Sequence, residues 1–198
     1  MCIKLLAAVL MQYPVSCRLT LKGEDDTMEF ATKCTHKIGA TDATGGCLGA
    51  LDAWLVIRGI KTLPLRMEQH QKNAFAIAKW LQEQPRVKYV LYPGLENHPG
   101  YEINKAQTTG FGGMISFAVD NAETARQILE GVKLIKFAES LGGTESLITY
   151  PIRQTHTDLT AEECTEKGIT DCLLRFSTGI EATQDLIDDL AQAFAAVE

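Results

Sequence analysis

From Leu48 onward the chain switches between two hydrophobic periods, and each switch marks an element. Leu51, Trp54, Leu55 and Arg58 recur at three and four residues, the spacing of one helix face. Gly59 and Pro64 interrupt that stripe and predict a kink or break near 61–64, since proline has no N–H to offer the preceding turn. Helix resumes at Leu65, with Ala74, Ile77, Ala78 and Leu81 on one side and Glu68, Gln71, Lys72 and Lys79 opposite, until Pro85 ends it. Val87–Tyr92 then reads as a half-buried strand and Met114–Val119 as a second, with a polar stretch over 94–110 between them. Asp120 followed by Glu123 resembles a capping box and predicts a helix through about Leu129. Val132–Phe137, Ser146–Tyr150 and Cys172–Ser177 are three further strands. A last helix starts near Thr183, with Leu186, Leu190, Ala193 and Val197 inward and Asp185, Asp188 and Asp189 near the positive end of its dipole.

Residues 86–198 thus run strand, strand, helix, strand, strand, strand, helix. That order predicts an α/β fold of the α+β kind: a small domain with a mostly antiparallel sheet and its helices on one face. Residues 43–85 are the linking helices that precede it. Residues 1–42 form a poorly defined N-terminal segment: an apolar start, a polar turn at 22–27, and then small Gly- and Thr-rich residues typical of loops.

Composition adds mainly exclusions. The chain has 198 residues and a net charge of −6, with 45% hydrophobic and 22% charged residues, so disorder throughout is out. The acidic balance argues against a nucleic-acid partner, and no apolar run is long enough to span a bilayer. Six cysteines form no CxxC pair, and the four histidines sit at no zinc-like spacing, so no metal site is expected. The run Met1–Met11 loosely imitates a signal peptide but lacks a suitable cleavage site, so cytoplasmic thiols are the expectation.

Three segments could carry chemistry. Ala138–Ser146 joins two strands through Gly142-Gly143, which allows close backbone approach to a ligand, and Ser140 offers a hydroxyl there. A tight turn explains the same residues. Tyr150–His156 clusters Arg153, Thr155 and His156 beyond Pro151, where a loop could face a cleft or merely be solvated. Arg175 lies in the apolar run Leu173–Ser177, so it needs a partner for its planar fork. That partner is either a structural carboxylate or a substrate.

In this order, Ala138–Gly143, Gln154–His156 and Leu173–Glu181 closely resemble the C-terminal part of the Cys/Met-metabolism family of PLP-dependent enzymes. That family holds cystathionine γ-synthase, the cystathionine γ- and β-lyases, methionine γ-lyase and the O-acyl-homoserine sulfhydrylases. Gly49–Leu55, Arg58–Met67, His70-x-x-Asn73-Ala74, Tyr92–Leu95 and Gly110–Met114 resemble it equally, and the match runs from Ala43 to Val197.

The resemblance implies the C-terminal domain of a fold-type-I PLP-dependent transferase, preceded by long linking helices. Its cofactor is pyridoxal 5'-phosphate, and its substrate a sulfur amino acid such as cystathionine or an O-acyl-homoserine. The serine and threonine matching Ser140 and Thr155 lie near cofactor and substrate. The arginine matching Arg175 binds the α-carboxylate, and Glu139 influences which carbon is attacked. Phe30–Cys34 is similar to the setting of the Schiff-base lysine, which places that role on Lys33. Family members are homo-oligomers, usually tetramers. They are also longer: the phosphate-binding turn, the ring-stacking aromatic and the aspartate at the pyridinium nitrogen have no matching segment here. The expectation is therefore a truncated member, inactive alone, or a non-catalytic module that packs on a full-length relative. Apolar helix faces around Trp54 and Leu65 are expected to be exposed.

Overall fold

A computed structural model describes residues 50–154 and 160–197, which fall into two units divided between Pro64 and Leu65. The first holds helix α1 (Ala50–Ile60). Pro64 cannot bond the carbonyl of Ile60, so α1 ends there, and α2 (Leu63–Gln82) starts with the proline in its first turn, where a missing N–H costs nothing. The expected break therefore falls at Lys61–Thr62. Leu51, Trp54, Leu55, Val56 and Ile57 of α1 are each at least half exposed, in keeping with the apolar surface expected there.

The second unit is built on a five-stranded sheet. Its strands are β1 (Val87–Leu91), β2 (Met114–Val119), β3 (Lys136–Phe137), β4 (Leu147–Thr149) and β5 (Leu173–Ser177), in the order β1-β2-β5-β4-β3. Every neighbouring pair is antiparallel except β3–β4. Ile115, Phe117, Ile148, Leu174 and Phe176 form one fully buried cluster with Ala74, Ile77, Ala78 and Leu81 of α2. Helices α4 (Ala122–Gly131) and α6 (Thr183–Ala195) join it through Ala125, Ile128, Leu186 and Leu190. The helical stripe and the strand alternation both bury the residues that their periods select.

Some boundaries differ from the sequence pattern. The N-cap of α4 is Asn121, which accepts the Thr124 N–H at 2.8 Å, while Asp120 faces Arg86 at 3.5 Å. The strand expected over Val132–Phe137 shrinks to two residues. The Asp189 carboxylate accepts the N–H groups of Lys133, Leu134 and Ile135 at 2.9–3.0 Å, leaving no donors there for a ladder. Two short helices were not expected. One is α3 (Tyr101–Gln107), within the polar stretch, and the other is α5 (Ala161–Glu166), opened by a Thr160–Glu163 capping box. Among the described residues no helix is long and apolar enough to cross a membrane, and no cluster suits a metal ion. Cys164 and Cys172 are free and buried.

Candidate functional site

The site is built outward from β5. Leu174 and Phe176 point into the helix-covered core, so Arg175 between them must project from the opposite face. The register sets it between Ser116 of β2 and Thr149 of β4, and directly paired residues share a face. Its Nη2 donates to Thr149 Oγ1 at 3.3 Å and to the Ser140 carbonyl at 3.5 Å. Its Nε is buried with no hydrogen-bond partner. Burial lowers the pKa of the guanidinium, and the nearby charge of Glu139 opposes that shift. Among the described residues no carboxylate lies within ion-pair distance of Arg175. The half-buried cation is short of a counter-charge, a costly state unless a ligand completes it.

The loop between β3 and β4 folds over this face. Gly142 adopts φ +73°, which favours glycine, and its N–H donates to Ser177 Oγ at 2.9 Å. The Glu181 carboxylate accepts the N–H of Ser146 at 2.6 Å and its hydroxyl at 2.9 Å, and Ser146 Oγ in turn accepts the Gly179 N–H at 2.7 Å. A Cβ at Gly179 would stand 2.6 Å from the Glu145 carbonyl carbon, so the loop could not close over any larger residue. Glu139 and Ser140 are exposed at the mouth of this arrangement, and Ser140 is tied to Arg175 through its carbonyl. The structure thus brings Glu139, Ser140 and Arg175 together. Lys33, Thr155 and His156 lie outside the described residues, and Arg153 is exposed.

The His70 and Asn73 motif turns out to be a brace for β5. His70 Nδ1 lies 2.5 Å from the Thr178 carbonyl, and Thr178 Oγ1 donates back to the His70 carbonyl at 3.0 Å. Asn73 Nδ2 donates to the carbonyls of Gly179 and Glu181, while its Oδ1 accepts Thr183 Oγ1 at 2.6 Å. Burial of His70 lowers its pKa, so the ring is held neutral. Sequence reasoning missed Thr149, Thr178 and Glu181, whose side chains hold the site in place. Their one sequence signal is polar residues at or just beyond the ends of apolar strands. A separate groove of about 730 Å³, lined by Lys72, Phe75, Lys79 and Tyr101 among others, shares no residue with the Arg175 face.

The donor set around Arg175 suits the carboxylate of an amino acid. It does not fit PLP itself, because no described lysine amine and no phosphate cradle adjoins Arg175 or Ser140.

Residues 20–195 match the model of the family described as Cys/Met metabolism PLP-dependent enzyme. The chain is 51% identical over 152 residues to a cystathionine gamma-lyase of Bacillus subtilis, covering 77% of this chain and 40% of that protein. It is 50% identical over 154 residues to a cystathionine gamma-synthase of Haemophilus influenzae, covering 78% and 37%. An L-methionine gamma-lyase of Fusobacterium nucleatum is 47% identical over 161 residues, covering 81% and 41%. Among solved structures, cystathionine gamma-lyase of Lactobacillus plantarum with L-serine superposes with a TM-score of 0.74 at 41% identity, covering 78% of this chain and 41% of that one. Cystathionine gamma synthase of Xanthomonas oryzae with cystathionine gives 0.72 at 43% identity, covering 76% and 39%. The chain spans about 40% of the length of the curated relatives it matches.

Proposed function

The chain belongs to the Cys/Met metabolism family of PLP-dependent enzymes, and from that premise we propose that the Arg175 face is the substrate-carboxylate half of a site for sulfur amino acids. Arg175 binds the α-carboxylate, Ser140 and Thr155 orient the substrate, and Glu139 biases which carbon reacts. Lys33 corresponds to the family's Schiff-base lysine, and the chain alone does not hold PLP. PLP, when bound, supplies the electron sink for chemistry at the carbon–sulfur or carbon–oxygen bond of substrates such as cystathionine or an O-acyl-homoserine. The chain assembles as a homo-oligomer and works in the cytoplasm, in line with the free thiols of Cys164 and Cys172.

One observation carries this reading: a half-buried guanidinium with an unpartnered Nε and no described carboxylate at ion-pair distance. Calorimetric titration of the whole chain with L-cystathionine tests it. Arg175→Gln is expected to weaken binding by about 10- to 100-fold, the worth of hydrogen bonds to a charged group. Equal affinity in wild type and Arg175→Gln would sink the reading. The cofactor half is tested by adding PLP and recording visible absorbance before and after borohydride. No reducible band is expected from the chain alone, and a band abolished by Lys33→Ala would put the complete cofactor site on this chain.

A second reading, a non-catalytic module that packs on a full-length relative, is favoured by the exposed apolar residues of α1. Sedimentation of the chain mixed with the Bacillus subtilis cystathionine gamma-lyase decides it: co-sedimentation supports the module, and independent boundaries exclude it.

A further inference from the structure

Among the described residues Arg175 makes two polar contacts, and the shorter is to Thr149, a residue 1% exposed at the end of β4. We propose that Thr149 is the positioning residue of the carboxylate site, fixing the plane of the Arg175 guanidinium and tying it to the loop that carries Glu139 and Ser140. This rests on the reading of Arg175 as the carboxylate ligand.

One proton decides the polarity of the contact. A threonine hydroxyl has a single hydrogen, and Thr149 donates it to the Ala138 carbonyl at 2.8 Å. Toward Arg175 Nη2 at 3.3 Å the same oxygen can therefore only accept, which is the polarity a guanidinium requires. The β-branched side chain is stiff at χ1, so the lone pair is aimed in advance. The neighbouring peptide reinforces the tie, since the Ala138 N–H donates to the Ile148 carbonyl at 3.1 Å. Residues 148 and 149 thus grip both polar groups of Ala138, the residue from which Glu139 and Ser140 depart. Without the hydroxyl, Nη2 keeps only the Ser140 carbonyl at 3.5 Å among the described residues, and four side-chain torsions are free to carry the fork away from a substrate.

The whole chain, labelled with 15N, gives a readout that a merely structural threonine would not move: the rate of rotation of the Arg175 guanidinium in the ligand-free protein. Thr149→Val keeps the shape and loses the hydroxyl, and should speed that rotation about tenfold. Thr149→Ser restores the oxygen and should return the rate to that of wild type. A wild-type rate in Thr149→Val overturns the proposal. Should the valine variant fail to fold by circular dichroism, Thr149→Ala carries the same measurement. In a second arm, L-methionine and L-methioninamide are titrated into each variant. Thr149→Val should weaken methionine about tenfold and leave the amide, which has no carboxylate, unchanged. Equal losses for both ligands would mean a general structural defect and would overturn the proposal. Failure of the premise looks different: methionine would then bind Arg175→Gln as it binds wild type, or would not bind wild type at all, and either result removes both readings.

Discussion

On the helix-covered side of the sheet, Ile115, Phe117, Ile148, Leu174 and Phe176 are fully buried, while across the same three strands the other side carries Ser116, Arg175 and Thr149. The first face is held by apolar area and shape, so any well-packed hydrophobic set would serve it. The second is held by directed hydrogen bonds between particular atoms, and it keeps a guanidinium with no described carboxylate at ion-pair distance. A two-residue period lets one five-residue strand do both, burying Leu174 and Phe176 on one face and setting Arg175 on the other. The core behind Arg175 carries its cost.

The largest expected effect is on the covered face. Phe176→Ala should remove about 3–5 kcal/mol of unfolding free energy, since the ring is fully buried, and chemical denaturation would show it as a lower midpoint. A loss under about 1 kcal/mol would mean that this face is not the stabilising one. Next comes the brace between α2 and the end of β5. Asn73→Ala strips donors from the carbonyls of Gly179 and Glu181 and should cost about 1–3 kcal/mol in the same assay.

His70 makes that brace sensitive to pH. Its folded pKa lies below the ordinary 6.5, so protons favour the unfolded chain. Its contribution is complete above about pH 6.5 and falls as the pH drops below it, by at most about 1.4 kcal/mol per pH unit. Denaturation curves at pH 7, 6 and 5 should show a decline that His70→Gln reduces, and a pH-independent difference between the two would contradict the buried neutral ring. The smallest effect belongs to the open face. Arg175→Met should change stability by no more than about 1 kcal/mol, because a half-buried charge with no described ion-pair partner is replaced by an apolar stem. A large loss there would erase the contrast between the faces.

Much of this architecture was legible in the chain. The stripe of Ala74, Ile77, Ala78 and Leu81 and the run Met114–Val119 announce their elements, because burial follows directly from period. Arg175 was legible as an anomaly, one charge inside an apolar strand. The short β3 was not, because its missing ladder depends on Asp189, more than fifty residues away in sequence. Thr149 and Glu181 escaped for the same reason: a hydroxyl or carboxylate at a strand end reads as ordinary polarity until its partners are in place.

The order of residues sets the periods, the breaks at Pro64 and Pro85, the family resemblance and the residue types able to hold a carboxylate. Only the tertiary structure decided that Arg175 stands between Ser116 and Thr149, that the Gly142–Gly143 loop closes over Ser177, and that the His70 and Asn73 motif is a brace. The physical reason is range. Helical and strand periods are set by neighbours a few residues apart, whereas a hydrogen bond between residues 26 or 108 positions apart exists only once the sheet register brings its donor and acceptor within about 3 Å.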